Sequence, residues 1–304
     1  ISVKKYKFLL LVASATLIIS NNAEAALKVL PVPPAFTLNY VNNGDQVAAG
    51  LLIKNSLIIS STLDNPASGI SSASVASYGL DGTKQWELSL NGESMAGPIS
   101  KDTSGNIYVL GASNNPIQSP PSQTPTPAAL NPDNVQADSV TTPTNTLNSI
   151  SVWKISSDGK LIQTFTLPIN EAVVPMSLSA GTNNFIIGAN TANQYLQIPI
   201  DQNGIFGTIS HPRAPKILDL AQDFIFGKDK IKFFISSKGL LGIPSWKPKK
   251  PTPVLIQYSK LGQKKAANYF QGKPLFVFFN TSVGAVVGTE QVSGFGIYLV
   301  KPIK

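Results

Sequence analysis

The chain has no cysteine and one histidine, and charged residues fill only 13% of its 304 positions, about half the usual share. Each shortage excludes something. Without Cys there is no disulfide, no thiolate metal site, no Cys nucleophile and no lipoprotein-type anchor. The single imidazole, His211, lies in a His-Pro-Arg run with no Ser-bearing elbow near it, which removes multi-histidine metal centres and a Ser-His triad. P-loop and dinucleotide fingerprints are also missing.

Ser, Thr, Asn, Gly and Pro take the vacated positions around an apolar fraction of 42%, the profile of a secreted β protein. Residues 1–25 read as a signal peptide. Lys4, Lys5 and Lys7 form the basic start, 8–19 the apolar core, and Ala23-Glu24-Ala25 the small-residue cleavage motif. The alternative is an uncleaved anchor, but the apolar run falls short of the about 20 residues a bilayer span requires. The mature chain is therefore expected outside the cytoplasm (extracellular, cell-surface or periplasmic), with no stable membrane span. Its net charge of +8 drops to +6 without the leader, and much of the excess is late, at Lys238, Lys247, Lys249, Lys250, Lys260, Lys264, Lys265 and Lys273. In a secreted protein this points to an anionic glycan or a cell-envelope protein as partner, not to nucleic acid. The plainer alternative is a dispersed solubilising charge.

Residues 74–112 hold four alternating stretches, 74–80, 84–90, 95–101 and 106–111. They are joined by an Asp81-Gly82 hairpin turn, an Asn91-Gly92-Glu93 loop and a Ser104-Gly105-Asn106 turn. Degraded copies run over 151–189, 195–236 and 253–289, with turns at Asp158-Gly159, Asn203-Gly204 and Leu261-Gly262. After a Pro-rich lead-in at 27–34, the chain enters in mid-repeat at 36–41 and continues through 47–53 and 56–61. It ends on a lone strand at 295–301 whose missing hairpin partner is 36–41. The expected fold is all-β: a β-propeller of five four-stranded blades in one domain, 36–304, closed by pairing of the terminal strands, with inserted loops at 114–148 and 238–252. An open sandwich array and a sixth blade inside 114–148 are the alternatives, although that insertion has few apolar alternations.

The residues Tyr78, Leu80, Asp81, Gly82, Trp86, Pro98, Ile99, Gly105, Ile107, Tyr108, Val109 and Gly111 resemble the repeat of the pyrroloquinoline-quinone-type β-propellers. The other copies keep the alternation and the turns but lose the Trp. The resemblance implies a propeller and is silent on chemistry, since many such propellers are cofactor-free assembly scaffolds. The quinone enzymes of that family hold their cofactor against a vicinal disulfide with calcium nearby. With no Cys in this chain, neither cofactor nor metal is expected.

In such a fold the connections between second and third strands emerge on the same side as those between blades. The long insertions, 63–72, 114–148 and 238–252, are all of the first kind, and insertions gathered on one side of a repeat fold mark its binding face. The inter-blade loops place one charge each there: Asp45, Glu93, Glu171, Arg213 and Lys273. Two readings stay open. In one, these residues line a polar funnel that binds ligand. In the other they are ordinary solvated loop charge. The carboxylates Asp45, Glu93 and Glu171 also admit a glycan-cleaving enzyme, which needs two acids about 6.5–9.5 Å apart for inversion.

Insertion 238–252 adds Trp246 beside Lys247, Lys249 and Lys250. The indole either stacks on a sugar face or folds back as a plug under its own Pro-rich loop. Pro244, Pro248, Pro251 and Pro253 stiffen this loop, so it is expected to contribute more to binding than 114–148. The reading as a whole is a secreted, non-enzymatic binding or scaffolding propeller. Asp81 and Asp158 are expected as turn formers. Asp102 sits in a stretch that lacks the acidic spacing of a calcium loop.

Overall fold

A computed structural model of the chain describes residues 27–90, 92–114, 146–215, 220–240 and 243–303. The leader expected at 1–25 and most of the 114–148 insertion lie outside the described residues. Among the latter, secondary structure is all β, in five small sheets, and no helix is long and apolar enough to cross a membrane.

Two short strands come first, β1 (Val29–Pro31) and β2 (Phe36–Asn39). The first sheet is a meander of β3 (Gln46–Ile53), β4 (Ser56–Asn65), β5 (Ile70–Gly79) and β6 (Lys84–Ser89). The second repeats it with β7 (Ser94–Lys101), β8 (Ile107–Ser113), β9 (Ser149–Ile155) and β10 (Leu161–Pro168). The third has β11 (Val174–Ala180), β12 (Asn184–Asn190) and β13 (Tyr195–Asp201). The fourth runs through β14 (Gln222–Phe226), β15 (Asp229–Ser236), β16 (Thr252–Tyr258) and β17 (Lys264–Tyr269), and β1 adds to β17 in parallel. The fifth comprises β18 (Lys273–Asn280), β19 (Gly284–Gln291) and β20 (Gly294–Val300), and β2 pairs antiparallel with β20.

The terminal pairing expected from the sequence is present, with Phe36 opposite Ile297 and Leu38 opposite Phe295. Three details differ from expectation. The lead-in at 27–34 contains a strand. Sheet pairing continues to Asn65 and resumes at Ile70, so the 63–72 connection shrinks to a tight turn. Residues 205–210 make only two isolated bridges to β13, Ile200 with Phe206 and Gln197 with Ser210. Between those bridges β13 carries Pro199, which has no N–H to offer a ladder.

Strand composition follows position. Central strands such as β8 (IYVLGAS) and β9 (SISVWKI) are buried almost throughout because both faces are covered, whereas edge strand β6 (KQWELS) alternates with solvent. Four apolar clusters join neighbouring sheets. Ile58, Val75, Ile107 and Trp153 join the first to the second; Tyr108, Ile150, Phe185 and Ile198 the second to the third. Phe233, Phe270, Val277 and Tyr298 join the fourth to the fifth; Phe276, Phe295, Leu57 and Ile59 the fifth to the first. Among the described residues no cluster joins the third sheet to the fourth. Val174 and Met176 on β11 and Ile225 on β14 stay exposed. The fourth sheet's second face is covered instead by its own insertion, through Leu240, Ile243 and Trp246.

A recurring contact marks three of the sealed seams. An outer-strand aromatic lies over the hairpin glycine of the next sheet: Phe36 on Gly82, Trp86 on Gly159 and Phe165 on Gly204. A methyl group added at Gly82 or Gly159 would come within 2.9 or 2.5 Å of the aromatic side chain, so glycine is the residue that fits. The Trp of the first copy therefore has functional equivalents in Phe36 and Phe165. The corresponding glycine of the fourth sheet, Gly262, has none of the described residues within 4 Å of where its Cβ would be. The missing contact falls at the seam that lacks a cluster.

Candidate functional site

The five inter-sheet loop charges do not share one environment. Asp45 is 5% exposed, and its carboxylate is fully engaged: Oδ2 accepts from the Val41 and Asn42 backbone N–H groups at 2.9 Å each, and Oδ1 from that of Asp64 at 2.8 Å. Burial alone would raise its pKa, but the N–H groups of Asn42, Asp64 and Val41 outweigh it and hold the carboxyl below its ordinary value. Asp45 is thus a clamp between the β2–β3 turn and β4, with both oxygens engaged by backbone N–H groups.

The clamp has a measurable signature. Asp45→Ala orphans three donors and is expected to cost roughly 1.5–3 kcal/mol in urea unfolding at pH 7. Because the folded carboxyl lies below its unfolded value of about 3.9, its contribution is fully present above that pH and is lost as pH falls through the folded value. The difference between parent and Asp45→Asn should therefore shrink on acidification below pH about 4. A constant difference would show that the charge plays no part.

Glu93 is half-buried and accepts from Asn114 Nδ2 at 2.6 Å, while the Asn114 N–H donates to its carbonyl at 3.0 Å. It therefore holds the start of the 114–148 insertion. Glu171 is half-buried after Asn170, which has a φ of 64°. Arg213 is exposed beside His211, also exposed. Asp81 accepts from the Thr83 N–H, and Asp158 from Ser156 and Lys160, as turn formers do. Asp102 spends both oxygens on Asn106, at 2.8 Å each. Among the described residues no group of three or more His, Cys, Asp or Glu could hold a metal ion.

Trp246 is the plug, not the platform. Its ring packs on Tyr269 with centroids 5.0 Å apart and joins Ile243, Val254 and Ile256. Its Nε1 is buried with no acceptor among the described residues. The half-buried indole packs against its own sheet, as the plug reading has it. Lys247, Lys249 and Lys250 remain exposed on the outside of that loop.

What the structure does bring together is Lys250 and Lys273. Both line a cleft of about 820 Å³ whose walls are the end of the 238–252 insertion, the Gln271-Gly272-Lys273 loop and the β19–β20 hairpin around Glu290 and Gln291. All three segments are of the two connection types that share a side in the sequence reading. The floor is rigidly tied: Gln291 Nε2 donates to the Tyr298 hydroxyl at 2.7 Å, and Tyr298 and Thr289 hydroxyls donate to the Gln271 carbonyl at 3.2 and 2.6 Å. Tyr298 is fixed in turn by an edge contact with Phe270, centroids 5.4 Å apart. Lys273 and Glu290 are cross-strand partners, yet among the described residues no ion pair includes either of them or Lys250.

Glu290 and Gln291 were not visible as site residues in sequence, because a two-residue hairpin carries no insertion to draw attention to it. A second, smaller cleft of about 380 Å³ lies along β2, lined by Tyr40, Tyr78, Lys84 and Glu87 as well as Asp45.

No protein-family model and no curated protein matches the chain. Similar solved structures include the catalytic domain of Coprinopsis cinerea GH62 α-L-arabinofuranosidase, 7% identical over 90% of this chain and 96% of that one, with a TM-score of 0.42. The Podospora anserina α-L-arabinofuranosidase PaAbf62A, in complex with cellotriose, is 8% identical over 90% and 99%, TM-score 0.40. The β-propeller domain of the Trilobed protease from Pyrococcus furiosus is 7% identical over 88% and 70%, TM-score 0.31.

Proposed function

We propose that the five sheets are the blades of a propeller-type ring with one loosened seam, and that the chain is a secreted, non-enzymatic binding module for a polysaccharide or envelope protein. The aromatic-over-glycine seams support the quinone-type repeat reading. The observation that carries the binding reading is the cleft: loops from two adjacent sheets converge on it and carry two lysines that have no ion-pair partner among the described residues. Its volume falls within the roughly 300–1,000 Å³ of small-molecule sites. Of the three carboxylates an enzyme reading draws on, Asp45 is held by three backbone N–H groups and Glu93 accepts from Asn114.

The test is incubation of the purified protein with an envelope-polysaccharide panel, scoring retention and reducing-sugar release separately. Retention without release is expected. Release that disappears in Glu93→Gln or Glu171→Gln would replace the module by a glycan-cleaving enzyme.

A further inference from the structure

We infer that the cleft between the 238–252 insertion, the 271–273 loop and the β19–β20 hairpin is a subsite for a carboxylated sugar, with Lys250 and Lys273 holding the carboxylate and Glu290 accepting from sugar hydroxyls. This rests on the binding-module reading and narrows its ligand. Three features of the cleft select the class.

The first is the charge pattern. Lys250 and Lys273 supply two cations, but Glu290 lines the same cleft. A polyanion with negative charge on every face, such as polyphosphate, would meet that carboxylate as a repulsion. A uronic acid carries one carboxylate per ring and otherwise hydroxyl donors, which suit one acidic and two basic groups.

The second is the wall chemistry. Thr252, Gln271 and Ser293 add donors and acceptors, while exposed Pro251 and Val292 and half-buried Tyr269 add apolar surface of the kind the carbon face of a pyranose buries against. The third is shape and stiffness. A concave cleft of about 820 Å³ takes a chain-like ligand, whereas a folded protein partner needs a broad surface of about 800 Å² per side. The Gln291–Tyr298–Gln271 hydrogen-bond chain sets the floor before the ligand arrives, so little ordering entropy remains to oppose binding.

Titration calorimetry with galacturonate, glucuronate and mannuronate trimers, each beside its methyl ester, tests the assignment. At least one acid trimer should bind, its ester at least tenfold more weakly, and the Lys250→Ala/Lys273→Ala double variant should lose tenfold or more, with salt sensitivity. Glu290→Gln decides between a sugar and a bare polyanion by sign. It should weaken the uronate trimer several-fold and strengthen any residual binding of polyphosphate.

If no acid trimer binds, or Glu290→Gln strengthens the trimer, the subsite is overturned. Envelope polysaccharide retained by the parent and equally by the double lysine variant would also overturn it and leave the binding module standing. No retention by either would remove both readings. Lys250 and Lys273 are exposed and Glu290 is half-buried, and the urea midpoints of all variants should match the parent's, which keeps a loss of binding distinct from a loss of fold.

Discussion

A chain that begins at Asn42, and so lacks β1 and β2, is expected to lose cooperative unfolding. β1 gives β17 its outer neighbour and β2 gives β20 its own, so one deletion exposes edges on two sheets. It also removes Val29 and Val32 from the clusters of the fourth sheet and Phe36 and Leu38 from the one that joins the fifth sheet to the first. At about 1 kcal/mol for each half-buried side chain, with the edge hydrogen bonds added, the loss approaches the roughly 5–15 kcal/mol of an ordinary domain. Urea titration followed by tryptophan fluorescence and by far-ultraviolet dichroism should give transitions that no longer coincide. Adding the 27–41 peptide in trans should restore part of the coincidence. A truncated chain that melts like its parent would show that the terminal strands seal nothing.

The second large effect separates a sealed seam from the loose one. Gly204→Ala and Gly262→Ala place the same methyl group on hairpin glycines with φ of +86° and +78°, and each incurs about 1–2 kcal/mol of left-handed strain. At Gly204 the new Cβ also runs into the ring of Phe165, itself 6% exposed and packed in the cluster between the second and third sheets. That overpacking adds about 1–3 kcal/mol. The expected losses are therefore about 2–5 kcal/mol at Gly204 against about 1–2 at Gly262, read as urea midpoints at unchanged m-value. Equal losses would mean that the aromatic cover contributes no more at one seam than at the other.

Much of the architecture is legible in the sequence because it is local. Alternation and Gly turns place nearly every strand, and the offset entry at 36–41 announces a partner at the other end of the chain. What escapes is decided by neighbours distant in sequence. β1 is three residues in a Pro-rich run and forms a strand only because β17 presents an edge. The failure of 205–210 to extend β13 follows from Pro199, one residue within an otherwise convincing strand. At the site, the sequence picks out Lys250 and Lys273 but cannot pair them, since they meet across two sheets. It separates the two readings of Trp246 no better, because what buries the indole is Tyr269 and the second face of a sheet left without a neighbour. Asp45 reads as a loop charge for the same reason. Its role depends on the Asp64 N–H on the following strand.

The pairing of β1 with β17 and of β2 with β20 also has a consequence in time. Synthesis delivers β1 and β2 well before their partners, so these strands wait, with Val29, Phe36 and Leu38 uncovered, until β17 and β20 have been made. Contacts of such long range close slowly, and a nascent chain with open strand edges is prone to associate with its neighbours in the meantime. Whatever shields those first strands in the interval sets the yield of folded protein.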